Sequence, residues 1–487
     1  MALLGIDIGT SSTKGIVMDE GKVIAETSVP HTIEIPKPGY AEHDAEMVWW
    51  GDIKNVCRRL LKNAENIEAI GISALCPDML PIDKEGKPLR KAVLYGIDSR
   101  ATEEIKEIEN KVGKEKIFEV CGNSLQSQSV GPKILWFMKN EPHLFKKTFK
   151  IHTASSYILY KLTGEHCIGM FTASMYHPFY NIKKHEWDEE MLSALNIPRH
   201  LLPELKWPTE IGGYVTKKAS EETGLKEGTP VITGMCDAGA SIFSAALGKE
   251  NEMCIFMGTT TCMFLVQNKL KTHPMLWAMP YFLRGKYLLA GGTTSTGAIV
   301  QWFKDNFAHG KSYETLDEEA ERAGISTIVL LPYFMGERTP ILDERAKGML
   351  FGLRIDYKGA NIYRAILEAT GYAIRHHLDI MKEAGANVEK IMLVNGGSKS
   401  RVWRQIISDI LQREVYRPER AFGAPFGDAY AAGMGIGKYK DLKQMKEFLG
   451  KEEVTDPEKE NKDKYDSLYD IYLRLYKKTK EEMHDLE

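Results

Sequence analysis

The sequence has little that would mark a secreted, membrane-spanning or nucleic-acid-binding protein. Its seven cysteines (Cys57, Cys76, Cys121, Cys167, Cys236, Cys254 and Cys262) form no CxxC pair and no regular framework. That odd, scattered set excludes a disulfide scaffold and predicts reduced thiols in a cytoplasmic compartment. No run approaches about 18 apolar residues, so no segment is expected to span a bilayer. The opening Met-Ala-Leu-Leu-Gly-Ile-Asp meets a charge at Asp7, too soon for a signal-peptide core. Neither sign of charge dominates: 64 Lys and Arg face 67 Asp and Glu, a formal net charge of −3. A global basic field for nucleic acid or anionic membrane is therefore excluded, and an anionic ligand must be held by local geometry. The Walker spacing GxxxxGK(S/T) is missing, and no GxGxxG follows a strand with an acidic residue about 20 positions on. There is no GxSxG nucleophile elbow. His376 and His377 are adjacent, point to different helix faces, and support no zinc site.

What is present is an ordinary globular mixture. The chain has 487 residues, 43% hydrophobic and 27% charged, enough for about two to four domains with cores that need no staples. Leu3 to Ile6, Lys14 to Met18 and Val23 to Ala25 read as a β-meander bent around a polar turn. Asp44 to Asn63 reads as an amphipathic helix with Val48, Ile53, Val56 and Leu60 on one face. Residues 67–73 form a buried strand, and Pro77 to Asp83 the loop after it. Residues 100–120 and 133–147 look helical, and Tyr157 to Leu162 is a short helix stopped by Thr163-Gly164. Near residue 230 the theme restarts. A strand enters Gly234, a small-residue helix runs over 238–247, and Cys254 to Met257 runs into Gly258-Thr259-Thr260-Thr261 before another apolar strand. Two strand–turn–strand units half a chain apart suggest duplicated α/β domains. Beyond Lys451 a charged stretch reads as a solvated linker. Tyr465, Leu468, Tyr472 and Leu475 then mark one face of a terminal helix docked on its own domain.

Several corners carry chemistry. In Asp7-Ile8-Gly9-Thr10-Ser11-Ser12-Thr13-Lys14, Gly9 lets the backbone bend, amides and hydroxyls can face phosphate oxygens, and Lys14 adds a cation. Asp7 could position Mg²⁺ through water, or simply cap a polar hairpin. Gly258-Thr259-Thr260-Thr261 offers the same chemistry, or an ordinary Thr-rich strand end. Asn395-Gly396-Gly397-Ser398-Lys399-Ser400 is a glycine corner between a strand and a helix, suited to a phosphate or a planar group. Gly423-Ala424-Pro425 and Gly427-Asp428-Ala429 form another small-residue corner, which points to tight packing near the same pocket. In Gly234-Met235-Cys236-Asp237-Ala238, Asp237 is either a helix cap or a general base at a strand end. Cys236 has no His partner and reads as packing.

These pieces, in this order, resemble the FGGY family of carbohydrate kinases over essentially the whole chain. Gly348-Met349-Leu350-Phe351-Gly352-Leu353, Asn361-Ile362 and Ala365-Ile366-Leu367-Glu368 match the second family signature. Pro132-Lys133-Ile134-Leu135-Trp136 matches most of the first, with Val130 where Pro, Ser or Thr is usual. Tyr333-Phe334-Met335-Gly336-Glu337-Arg338-Thr339-Pro340 and Gly297-Ala298-Ile299-Val300-Gln301-Trp302 also fit. The resemblance implies an α/β fold: two ribonuclease H-like (actin-like) domains with a cleft between them. Residues 1–245 would carry the sugar and phosphate loop, and residues 246–487 the nucleotide. It implies ATP and Mg²⁺, with Asp237 as the base and Asp7 at the metal. Thr10, Ser11, Lys14, Gly258 and Thr259 would lie at the phosphates, and Gly297, Gln301, Gly396, Gly397 and Lys399 near the nucleotide.

The resemblance narrows the substrate less. Xylulose kinases of the family usually carry Gln-Met-His-Gly where this chain has Leu75-Cys76-Pro77-Asp78. With that imidazole absent, Pro77 and Asp78 are the candidate sugar contacts there, Asp78 as a hydroxyl acceptor or as a turn former. Asp98 and Arg100 lie on the next loop of the substrate region. Ala238 after the base resembles pentulose kinases, whereas glycerol kinases place Gln there. The expectation is a ketopentose, xylulose ahead of ribulose, with other polyols and aldonates as alternatives. A cytoplasmic enzyme or homodimer is expected, with no nucleic-acid or membrane partner. From a different class, an actin-like ATP-binding sugar sensor is disfavoured by the intact Asp237 and kinase signatures.

Overall fold

The computed structural model describes residues 2–62, 64 and 66–486. The chain forms two compact units. The first takes in Met1–Ala246, Met279–Lys286 and Phe422–Phe448, and the second Leu247–Ala278, Tyr287–Ala421 and Leu449–Glu487. Compactness thus draws a line that a single cut at residue 245 does not, because a stretch from near the end of the chain belongs to the first unit.

In the first unit the order of strands is Ile211–Tyr214, Pro230–Ile232, Ile67–Ala74, Ala2–Ile8, Ser12–Asp19, Lys22–Pro30, with Met235–Cys236 also paired to Ile67–Ala74. The first three strands of the chain are the antiparallel meander read from the sequence. Ala2–Ile8 is buried along its whole length and pairs in parallel with Ile67–Ala74. The second unit has the order Tyr287–Thr293, Thr261–Gln267, Glu252–Met257, Lys390–Val394, Val415–Pro418, Glu452–Thr455. Glu252–Met257 again has an antiparallel partner across a tight turn and a parallel partner on its other side. The expected duplication is therefore real at the level of strand pairing, and the architecture is a two-domain, actin-like α/β fold.

One structural device positions the site. Gly5 and Gly71 are partners in adjacent parallel strands, and together they clear a flat floor on the sheet. The helix Ala424–Gly435 lies on that floor: a Cβ on Gly5 would meet Pro425 O at 1.8 Å, and one on Gly71 would meet Asp428 O at 2.0 Å. On its other side, a Cβ on Gly427 would fall 2.1 Å from Ala240 O in the helix Asp237–Ser244. Backbone rests on backbone at all three points.

Elsewhere the sequence reading needs adjustment. The first helix is a π-helical segment, Ala45–Trp50, capped by Asp44, followed by Gly51–Leu60; Asn63 lies outside the described residues. The helical stretch expected over 100–120 breaks into Thr102–Val112 and Lys114–Cys121 at Gly113, whose φ of +93° no ordinary helix accepts. The charged stretch expected to be a linker is a strand, Glu452–Thr455, paired antiparallel with Val415–Pro418. Its charges are matched rather than only solvated, Glu452 by Lys390 at 2.5 Å and Glu453 by Arg404. Opposite-charge pairs of this kind suit an edge strand. The terminal helix Lys462–Asp485 docks as expected, burying Tyr465, Leu468, Tyr469 and Tyr472, with Arg364 donating to Tyr465 Oη at 2.7 Å.

Candidate active site

Parallel pairing brings the key residues of the first unit to one sheet edge. Asp7 is in register with Ser73, and Ser73 with Met235. Asp237 therefore follows, by two residues, a row that runs Asp7, Ser73, Met235. Parallel strands deliver their carboxyl ends together, and that is where α/β proteins place ligands. Asp7 and Ser73 also share a sheet face with Gly5 and Gly71, two residues earlier, because side chains alternate along a strand. They consequently point toward the helix that carries Asp428. Ser73 Oγ lies 2.9 Å from Asp7 Oδ1 and 2.7 Å from Asp428 Oδ2. Asp428 is fully buried and its Oδ1 has no hydrogen-bond partner among the described residues.

Burial raises all three carboxyls, and the charge of Asp7 adds to the effect on Asp237 and Asp428. Burial pushes the Asp237 carboxyl up to about 7, and the negative charge of Asp7 acts in the same direction. Burial also raises Asp7, against the opposing effects of the Ser73 hydrogen bond and the Lys14 charge. Asp428 is pushed well above the usual carboxylate range, chiefly by burial and then by Asp7. Asp237 itself is only half-buried and opens the helix Asp237–Ser244. The cap of that helix is Cys236, whose Sγ accepts from Gly239 N at 3.2 Å. A part-exposed carboxyl with a pKa near neutrality, free of the capping duty, has the properties of a general base.

The turn after Asp7 is held from beneath. Gly9 N donates to Ser12 O at 2.9 Å, and His31 bridges Gly9 O and Asp52. Ser11 and Lys14 are exposed, while Thr10 Oγ1 sits 2.9 Å from Tyr95 Oη. Among the described residues no group of three or more His, Cys, Asp or Glu forms a ready metal cage. Mg²⁺ does not require one, since it keeps several waters and takes one or two carboxylates plus phosphate oxygens. Asp7, at a strand end beside hydroxyls and only 8% exposed, is a hard oxygen donor of the kind this ion takes, so the residues fit.

The loop expected to meet the sugar is organised differently. Asp78 is completely buried, and both its oxygens accept from Ala154 N, at 2.9 and 3.2 Å, at the start of the helix Ala154–Thr163. This anchoring part, rather than an open hydroxyl acceptor, is what the structure gives Asp78. Pro77 lies in the same buried loop. Asp98 and Arg100 form a bidentate pair with side chains 0% and 1% exposed. Asp98 also accepts from Ala41 N at 2.7 Å, and Arg100 bonds Glu42 and stacks on Tyr40. Most of their hydrogen-bonding capacity goes to each other and to the loop, although Arg100 Nη1 is buried with no hydrogen-bond partner among the described residues. Lys133, from the first family signature, is buried alongside, and loss of solvent lowers its pKa to about 8, opposed by Asp98 and Asp78.

In the second unit, Gly258 opens a turn whose carbonyls receive the start of a helix. Gly297 N donates to Gly258 O at 3.0 Å, and Thr296 N and Ala298 N donate to Thr259 O at 3.1 and 3.0 Å. A Cβ on Gly297 would stand 2.5 Å from Gly258 O, so only glycine fits the helix Gly297–Phe307 against this turn. Thr259 is left exposed. Gly397 packs against Met257, next to Gly258, while Gly396 and Lys399 face solvent. Gln301 is also exposed and bonds Asp305 and Tyr313.

Two features escaped the sequence reading. Glu337 is buried and accepts from Thr294 N at 2.6 Å, Thr294 Oγ1 at 2.9 Å and Arg338 N at 2.8 Å. Burial pushes this carboxyl up to about 7. With Thr339 Oγ1 bonded to Gly292, it pins the segment leading into Gly297. The Gly-Glu-Arg-Thr-Pro segment was visible in the sequence, but its attachment to that loop was not. The second is Ser73 with Asp428. The only signal for Asp428 was an acidic residue inside a run of small ones.

A part-exposed carboxyl at the parallel-strand ends of the first unit, with strand–turn–strand units in both actin-like domains, suits phosphoryl transfer to a small molecule. Residues 2–244 match the FGGY family of carbohydrate kinases, N-terminal domain, and residues 253–436 its C-terminal domain. The chain belongs to the FGGY family of carbohydrate kinases and, with it, to the ATP-dependent kinases of carbohydrate hydroxyls. The xylulose kinase of Lactococcus lactis is 29% identical over 495 residues, covering 99% of this chain and 98% of that one. The glycerol kinase of Thermococcus onnurineus is 30% identical over 472 residues, with 93% of each covered. The crystal structure of xylulose kinase from Rhodospirillum rubrum superposes with a TM-score of 0.92 at 28% identity, covering 99% of this chain and 100% of that one. Among the described residues no helix is long and apolar enough to cross a membrane.

Proposed function

We propose that this protein transfers the γ-phosphoryl group of ATP to a hydroxyl of a ketopentose, with xylulose as the substrate. The observation that carries the reading is similarity to xylulose kinases over almost the full length of both chains. Ala238 beside the proposed base agrees with it. Asp237 accepts the proton of the attacking hydroxyl as the oxygen bonds phosphorus and the bond to the β-phosphate oxygen breaks. Lys14, Thr10 and Ser11 in the first unit, and Gly258 and Thr259 in the second, bind phosphate oxygens. Gly297, Gln301, Gly396, Gly397 and Lys399 lie along the nucleotide. Asp7 would hold Mg²⁺, which would supply charge neutralisation on the phosphates. Most of the catalysis in such a transfer is positioning and electrostatics.

A polyol is the competing substrate, favoured by the glycerol kinase similarity and by a Leu75-Cys76-Pro77-Asp78 loop whose Asp78 is turned inward. A coupled ADP-release screen over ketopentoses, glycerol and other polyols, and aldonates with Mg·ATP separates them. Xylulose should give the highest kcat/KM; a higher value for glycerol or an aldonate overturns the assignment. Sugar-independent ATP hydrolysis with no phosphorylated product would point instead to a non-catalytic sensor.

The pH dependence follows from Asp237. Its carboxyl is raised to about 7 by burial, so the basic form is present above that pH and disappears below it. Log kcat/KM, which reports the groups of the ligand-free enzyme, should fall with a slope near one as pH drops through about 7. A flat profile down to pH 5 would remove Asp237 from the proton transfer.

A further inference from the structure

Ser73 has one hydroxyl hydrogen, yet its oxygen stands within hydrogen-bond distance of two carboxyls, Asp7 Oδ1 at 2.9 Å and Asp428 Oδ2 at 2.7 Å. Ionised carboxylates only accept. Two of them could share one hydroxyl hydrogen only in a bifurcated bond, which aligns neither contact well and leaves two negative charges facing one hydrogen. A second hydrogen, carried by one of the two carboxyls, satisfies both short contacts with well-aligned bonds. Asp7 sits at a strand end, within the field of Lys14. Asp428 is 0% exposed, clamped between the sheet and the helix Asp237–Ser244, and one of its oxygens meets no donor among the described residues. The hydrogen belongs on Asp428.

We propose that Asp428 is a positioning residue for the metal site: as a carboxylic acid it donates to Ser73, which turns the Ser73 hydroxyl toward Asp7 and fixes the orientation of the Asp7 carboxylate. The direction of the chain is Asp428 to Ser73 to Asp7. Asp428 acts by donating, so its negative charge is not what matters, and it is not itself a ligand. Partners of this kind behind a metal ligand typically change metal affinity 10- to 100-fold when removed. The inference rests on the role proposed for Asp7.

The charge-neutral donor can be imitated, which makes the test selective. Mn²⁺ binding is measured by electron paramagnetic resonance of the free ion, with ADP saturating, for the wild type and for Asp7→Asn, Ser73→Ala, Asp428→Asn and Asp428→Ala. Asp7→Asn should weaken Mn²⁺ binding by more than about tenfold. Asp428→Ala should weaken it by about tenfold, whereas Asp428→Asn, whose amide still donates to Ser73, should stay within about twofold of wild type. Ser73→Ala should match Asp428→Ala, and a variant carrying both Ser73→Ala and Asp428→Ala, measured alongside, should be no weaker than either, because both break one chain. Thermal unfolding of each variant identifies any that fails to fold; if Asp428→Ala does, Ser73→Ala and Asp428→Asn still decide. If Asp428→Asn loses as much affinity as Asp428→Ala or Ser73→Ala, the residue acts by charge and the proposal is wrong. Unchanged binding in Ser73→Ala or Asp428→Ala while Asp7→Asn is impaired overturns the relay alone. Unchanged binding in Asp7→Asn removes the metal role of Asp7 and the relay with it.

Discussion

Replacing Asp237 by Asn should lower kcat by about 10²- to 10⁴-fold, the usual contribution of a positioned general base, while leaving the KM for ATP within about threefold of wild type. The amide keeps the size of the side chain and an oxygen that can accept from Ala238 N, as Asp237 Oδ1 does at 2.6 Å. What it loses is the ability to take a proton. Folding should not suffer, because the helix Asp237–Ser244 is capped by Cys236 and not by Asp237. A neutral amide also removes a carboxyl that burial and Asp7 disfavour, so thermal unfolding should occur at the wild-type temperature or slightly above it. Steady-state kinetics with a coupled ADP assay, isothermal titration with ADP and a thermal melt check the three parts separately. Wild-type turnover would refute the base; lost ADP binding would mean the side chain shapes the nucleotide site instead.

Gly5→Ala should be the most damaging single methyl in the first unit. The added carbon would meet Pro425 O at 1.8 Å, Ala429 N at 2.7 Å and Pro425 C at 2.9 Å. All three are backbone atoms, so no side-chain rotation relieves the contact, and the helix Ala424–Gly435 must lift from the sheet. Overpacking of this severity costs about 3 kcal/mol, which at about 2–4 °C per kcal/mol lowers the unfolding temperature by roughly 6–12 °C. Activity should fall as well, because that helix carries Asp428 against Ser73. Gly51→Ala is the matched control. Its new carbon would meet only Glu46 O, at 3.6 Å, and the melt should stay within about 2 °C of wild type. Equal melts for the two variants would mean that the glycine floor does not hold the helix.

The turn after Asp7, the turn at Gly258 and the glycine corner at Gly396-Gly397 were legible because each depends on local chemistry. A glycine, a hydroxyl and a strand before them suffice to read a tight turn. The duplicated plan was legible for the same reason, since a strand–turn–strand unit is written in consecutive residues. Asp237 was ambiguous between cap and base, and the structure gives the capping to its neighbour Cys236. Asp78 and the pair Asp98 and Arg100 were placed on successive loops, but their burial and their partners were invisible. Ala154, Ala41 and Glu42 consume those charges, and they lie 76, 57 and 58 positions away. The charged stretch at Glu452–Thr455 was misread because charge pattern reports solvation and not pairing; Lys390 and Arg404 turn it into an edge strand.

By itself, then, the sequence determined that this is an α/β kinase of the FGGY family with two glycine–hydroxyl turns and one candidate base, since all of these are encoded in short, contiguous patterns. Only the tertiary structure decided how the scattered cysteines and the nearly balanced charge are arranged. Cys236 serves as a helix cap, and the acidic side chains converge where parallel strands end. The helix holding Asp428 comes from position 424 onward and rests on Gly5 and Gly71 at the other end of the chain. The physical reason is that sheet register and backbone-on-backbone contact are set by residues hundreds of positions apart, and no local periodicity records which strand a distant helix will cover.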